Sequence, residues 1–279
     1  MNTSRPLPAS FCKSRTTSLL ALAGIVLIAG CAGSGRARYE TPEEAYTKGK
    51  EYYDAGKYDR AIEYLQGAFD FGRAHEYAAN AQLLLARAYR ENGDYLLAAN
   101  EYLRFTQIYR SDDRVPQATF EYAMTFIERS PAYELDQTDT ERAVDELQLY
   151  IDRYPVSENA AIADAEIKKL REKLARKDYA SAELYQRREL FEAAAISFQG
   201  VFDEYPDTSW ADDALLGAIR NHLAFSRASI PARQAERYQL AVDIYDRMSQ
   251  IFPDSPLLDE AGVLVDSSAD LASNQATSR

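Results

Sequence analysis

The runs AVDELQLYIDRYP (143–155), AAISFQGVFDEYP (194–206) and AVDIYDRMSQIFP (241–253) decide the fold. Each opens on an alanine: Ala143, Ala194, Ala241. Each carries a large side chain four positions on (Leu147, Phe198, Tyr245) and an apolar one three later (Tyr150, Val201, Met248). Each closes on an aromatic–proline pair: Tyr154-Pro155, Tyr205-Pro206, Phe252-Pro253. Spacings of four and three put these residues on one helix face. Proline cannot continue a helix and disfavours the helical region in the residue before it, so each run is a helix with a fixed stop.

Two earlier stretches share the helical part without the proline. They are Ala61 with Leu65 and Ala68, and Ala98 with Tyr102 and Phe105. In both, a glycine (Gly56, Gly93) stands five residues before the alanine and ends the preceding helix, which in the first unit carries Gly49 and Tyr52. A helix–turn–helix unit of about 34 residues with small, aromatic and proline positions is the tetratricopeptide (TPR) pattern. The alanine lets the second helix lie close on the first, and the aromatics fill the wedge between units. The expected fold is all-α, a TPR helical-repeat solenoid of about five irregular repeats.

The repeats are irregular because three segments lengthen them. Residues 129–138 insert a polar-rich loop into the third unit. Residues 157–177 carry Ile162, Ile167, Leu170 and Leu174 at helical spacing and predict one long helix running toward Tyr185. Residues 226–233 are the third extension. Thr41-Pro42-Glu43-Glu44 reads as a helix start, with an N-cap, proline at the first position and acids in the first turn. The expected organisation is repeats 1–2 over 41–110, repeat 3 with its loop over 111–156, repeats 4–5 over 157–258, and a C-terminal tail over 259–279 that is polar and small from about Ser267.

The N-terminus predicts export. Arg5, Lys13 and Arg15 precede the apolar run LLALAGIVLI (19–28), and Ile28-Ala29-Gly30-Cys31 closes it. Ten apolar residues are half of what a membrane span needs, which is about 20. A short apolar core behind basic residues and before small ones is a secretory signal peptide, here 1–30. The small-small-Cys ending resembles a lipobox, which implies lipidation of Cys31 and a flexible spacer over 31–40. Ala32 in the next position favours an outer-membrane address. Cys12 falls in the leader, so the mature chain has no disulfide to form.

The net charge of −12 argues against nucleic-acid and anionic-lipid partners, since both repel a polyanion. No catalytic constellation is visible. His75 and His222 stand far apart, without cysteine or carboxylate at metal-ligand spacing. We therefore expect no enzyme, no cofactor and no metal. A TPR array instead offers a concave surface lined by the first helix of each pair. Counting along the motif places Tyr46, Lys50, Tyr53, Leu83, Arg87, Arg90, Phe120 and Met124 on it. Aromatic bodies beside cations suit an extended peptide or its carboxylate.

A lipobox followed by irregular TPR units resembles the BamD family, the lipoprotein subunit of the outer-membrane β-barrel assembly machine. The most specific segment is Tyr133-Glu134-Leu135-Asp136-Gln137-Thr138, followed by Ala143-Val144 and the run from Leu147 to Tyr154-Pro155. Ala180, Leu184-Tyr185, Ala194-Ala195, Phe202 and Tyr205-Pro206-Asp207-Thr208 are similar to the family's fourth repeat. The resemblance implies a non-enzymatic scaffold on the periplasmic face of the outer membrane, held there by its lipid. Its partners would be the periplasmic domains of the barrel-forming insertase, bound through the C-terminal repeats, and unfolded outer-membrane proteins, received by the N-terminal ones. The alternative is a TPR lipoprotein that assists secretin or pilus assembly or envelope coordination. Such proteins often carry a coiled coil or more regular repeats, and neither is evident here.

Overall fold

A computed structural model describes residues 37–273. Cys31 and the signal peptide lie outside the described residues. The chain builds α1 (Pro42–Asp54), α2 (Tyr58–Gly67), a 3-10 turn (Ala68–Phe71), α3 (Ala78–Glu91), α4 (Tyr95–Ile108), α5 (Val115–Arg129) and α6 (Thr138–Arg153). It continues with α7 (Ala160–Arg187), α8 (Phe191–Glu204), α9 (Ala211–Arg227), α10 (Pro231–Ile251), α11 (Leu258–Asp266) and α12 (Asp270–Ser273). There is no strand among the described residues. Each helix from α1 to α10 packs on its neighbours in chain order, giving five pairs. The first helix of each pair is called A and the second B. This is the TPR solenoid expected from the repeats.

The alanines explain the pairing. Ala61, Ala98, Ala143, Ala194 and Ala241 are all 0 % exposed. Four residues on, Leu65, Tyr102, Leu147 and Phe198 are buried; seven on, Ala68, Phe105, Tyr150, Val201 and Met248 are buried. Tyr245 alone is half-buried, because Ile244 fills the core of the last pair and Tyr245 turns toward Gly262 of α11. Tyr154, Tyr205 and Phe252 cap their helices in one shared conformation, with φ −131°, −127° and −121° and ψ 55°, 55° and 59°. In all three the residue before the proline has left the helical region, which a following proline disfavours.

The A-to-B turns repeat as well. In the first, the Gly56 N–H donates to Tyr53 O (2.9 Å) and the Lys57 N–H to Tyr52 O (2.9 Å). The second runs Gly93 to Arg90 (3.0 Å) and Asp94 to Tyr89 (2.9 Å), and the fourth Glu189 to Gln186 (2.9 Å) and Leu190 to Tyr185 (3.0 Å). The 6→1 bond and the left-handed residue form a Schellman-type stop. Gly56 and Gly93 take φ 68° and 84°, and Glu189 takes 59°, the one non-glycine with positive φ among the described residues.

The buried apolar side chains form two clusters that meet on α7. Ile167 and Leu170 belong to the cluster of repeats 1–3, and Leu174, Ala175 and Ala182 to that of repeats 4–5. The 28-residue α7, running on past Tyr185, thus takes part in both. The stretch 259–279, expected as a tail, is corrected in its first part. Ala261 and Val265 of α11 and Leu271 of α12 are buried in the second cluster, because α9 and α10 would otherwise expose their last apolar face.

Candidate peptide-binding surface

Of the eight residues that spacing assigned to the A-helix face of repeats 1–3, Lys50 is exposed and Tyr46, Tyr53, Arg87, Arg90 and Met124 are half-buried. On α1, Tyr46, Lys50 and Tyr53 follow each other at four and three positions and so share a side. Tyr46 stacks at a tilt on Tyr77 (ring centroids 5.8 Å), and Tyr53 meets Tyr58 edge-on (5.6 Å). Lys50 is exposed and pairs with Asp54 at 2.5 Å. Met124 of α5 is half-buried.

Leu83 and Phe120 do not belong to that face. Leu83 is 3 % exposed and sits in the core, because α3 has buried residues on nearly every side and leaves little beyond Leu84, Arg87 and Arg90 partly open. Phe120 is 8 % exposed and turns to α6, where its ring lies 5.4 Å from Tyr150. Period counting cannot separate the two sides of a helix that is covered on both.

Arg87 and Arg90 are on the face but are not free. The Arg87 Nε donates to Glu121 Oε2 at 2.9 Å and its Nη2 to Oε1 at 2.7 Å, a two-point bond from α3 to α5. Arg90 reaches Glu128 of α5 with Nε and Nη2 both donating to one oxygen, Oε1, the first at 2.7 Å. The Glu121 side chain is only 10 % exposed, against 37 % for Arg87. Burial pushes the Glu121 carboxyl up, but hydrogen bonds from Arg87 and Gln117 more than offset it and hold it below the usual carboxylate range. Tyr102 lies beside this pair with a buried hydroxyl that makes no hydrogen bond of normal geometry; burial, with Glu121 next to it, pushes its ionisation far up. The phenol is therefore a neutral filler between α3 and α5.

The Asp136-Gln137-Thr138 segment acquires a physical meaning that the sequence did not supply. Asp136 Oδ1 accepts from the Thr138 N–H at 3.0 Å at the start of α6. The buried Gln137 amide donates to Ala132 O (2.9 Å) and Leu135 O (3.1 Å), and its carbonyl accepts from Thr140 (2.7 Å). The loop between α5 and α6 is thus folded around one glutamine. From α7, Lys173 donates to Pro131 O at 3.1 Å, and the Arg176 guanidinium lies 4.1 Å from the centre of the Tyr133 ring. A cavity of about 610 Å³ opens between this loop, α7 and Trp210. A second, of about 440 Å³, lies on the B-helix side between Leu103, Tyr122 and Leu149.

Among the described residues there is no group of three or more His, Cys, Asp or Glu positioned for a metal. His75 bonds Ala68 O (3.0 Å) and His222 bonds Gln199 (2.7 Å), so both are used in packing. No described helix is long and apolar enough to cross a membrane. The partly open side chains of α1, α3 and α5 thus include hydroxyls, aromatic rings, amides and guanidinium groups paired with carboxylates.

The YfiO family, described as outer membrane lipoprotein, matches residues 38–237. The outer membrane protein assembly factor BamD of Haemophilus influenzae is 29% identical over 209 residues, covering 70% of this chain and 78% of that protein. The Vibrio cholerae protein of the same name is 26% identical, covering 71% and 87%. The Caulobacter vibrioides one is 26% identical over 70% of this chain, which spans 66% of that relative's length. Among solved structures, a TPR repeats protein from Bacteroides fragilis is similar at a TM-score of 0.46 and 13% identity, covering 84% of this chain and all of that one. With the family match running from the start of the first repeat into the fifth, the chain belongs to the YfiO family of outer membrane lipoproteins, that is, the BamD family.

Proposed function

We propose that the chain is a scaffold of outer-membrane protein assembly, lipid-anchored through Cys31 on the periplasmic face of the outer membrane. In this reading it has no catalytic step and no cofactor. The A-helix face of repeats 1–3 takes segments of unfolded outer-membrane proteins, and repeats 4–5 hold the periplasmic domains of the barrel-forming insertase. The observation that carries the reading is the division of one continuous helix stack into two cores that share α7. Each half is built around its own core and presents its own surface. Membership of the family supports the general role in assembly, and the row of Tyr46, Tyr53, Arg87, Gln117 and Met124 supports the peptide site.

The test is affinity purification of the tagged full chain after mild detergent extraction, combined with depletion. Recovery of a large barrel protein with repeated periplasmic domains, and general loss of outer-membrane barrels on depletion, is the expected result. Recovery of a secretin with barrels unaffected would overturn it.

A further inference from the structure

We infer that the A-helix face of repeats 1–3 binds internal, uncharged, extended segments of its client and does not recognise a carboxylate. The inference rests on the peptide-binding reading above and adds the ligand's chemistry.

Every lysine and arginine on the three A helices already has an acidic partner within the chain. Lys48 pairs with Glu44 (2.6 Å) and Lys50 with Asp54 (2.5 Å) on α1. Arg87 pairs with Glu121 (2.7 Å) and Arg90 with Glu128, both from α3 to α5. Arg129 of α5 pairs with Asp139 at 3.0 Å. These helices carry seven acids (Glu43, Glu44, Glu51, Asp54, Glu91, Glu121, Glu128) against those five cations. A ligand carboxylate would therefore meet a surface of slight negative excess, and at Arg87 it would approach a guanidinium whose charge Glu121 already cancels, with the Glu121 carboxylate beside it. Two like charges sharing one guanidinium repel, so the negative charge of a ligand carboxylate gains little there.

A neutral ligand faces no such competition. A guanidinium has five N–H donors in a fixed fork. The bond to Glu121 uses one on Nε and one on Nη2, leaving Nη1 for a neutral acceptor such as a peptide carbonyl. The Tyr46 and Tyr53 rings then flank side chains of the segment. Paired arginines thus act as backbone holders whose charge is already cancelled.

The test uses the full chain and a fluorescent twelve-residue probe of alternating aromatic and neutral polar residues, read by anisotropy. The probe is made with a C-terminal amide, with a free carboxylate, and with two internal glutamates. Amide and free acid should bind within about twofold of each other and the glutamate probe more weakly. Glu121→Gln, which frees Arg87 and keeps an amide in its place, should raise the ratio of acidic to neutral affinity by about tenfold, one charge-assisted bond's worth on the ~1.4 kcal/mol scale. A free acid that binds wild-type chain about tenfold tighter than the amide overturns the inference while leaving peptide binding intact. An unchanged ratio in Glu121→Gln also overturns it. Binding of no probe removes the peptide-binding reading itself, and the inference with it.

Discussion

Glu189 stands where repeats 1 and 2 use glycine, with φ of 59° and the same two backbone hydrogen bonds. A side chain in the left-handed region costs roughly 1–2 kcal/mol, and glycine offsets part of that gain through the entropy of its unfolded chain. Glu189→Gly should therefore stabilise the protein by about 1 kcal/mol, measured by urea denaturation; a loss of stability would mean that the glutamate side chain holds the turn. His222 gives a pH prediction. Burial lowers its pKa below the ordinary value, and the Glu192 charge opposes this only in part. The unfolded chain then takes up the proton first, so the contribution is full above about pH 6.5, the unperturbed histidine value, and is lost as pH falls through the folded value. The carboxyls of Asp178 and the half-buried Asp213 are pushed up by partial desolvation and run the other way. The readout is thus a difference: His222→Gln should lose less melting temperature than wild type between pH 7 and 5. An equal or larger loss contradicts it.

At the scale of elements, glycines mark where helices touch. A Cβ on Gly217 of α9 would stand 2.8 Å from the Phe198 ring of α8, whereas one on Gly200 of α8 meets nothing within 4 Å. Both positions are helical, so propensity alone favours alanine at each. Gly200→Ala should stabilise by about 0.5–1 kcal/mol, and Gly217→Ala should destabilise by about 1–3 kcal/mol through overpacking. Thermal melts showing one sign for both would remove the close-contact account of Gly217. The α3–α5 bond is the second test. Arg87→Met leaves Glu121 with its main partner gone and should cost about 1–3 kcal/mol, while Arg87→Met with Glu121→Leu should recover most of that. A double variant as unstable as the single one contradicts the tie.

The elements also show what the sequence carries. Alanine and aromatic landmarks are legible because side-chain size and a three-to-four residue period are local properties. The long α7 was legible for the same reason, in Ile167, Leu170 and Leu174. The partners of Arg87 and Arg90 were not, because Glu121 and Glu128 lie 34 and 38 residues away and no local rule selects them. Leu83 and Phe120 were misplaced because both sides of their helices are covered. The Glu189 turn was missed because its residue type hides its backbone conformation.

On the scale of the whole molecule, the proposed scaffold role rests on what each half holds. Two cores joined through α7 give repeats 1–3 and repeats 4–5 separate surfaces. The central claim is that these surfaces have different occupants. Site-specific photocrosslinking in cells tests it most directly, with the reactive residue placed at Lys50 on α1 or at the exposed Leu240 on α10. The account predicts adducts of Lys50 with many unfolded outer-membrane proteins, lost when their export stops, and of Leu240 with one large barrel protein that persist. The same single partner at both positions, or client adducts at Leu240 and none at Lys50, would contradict it.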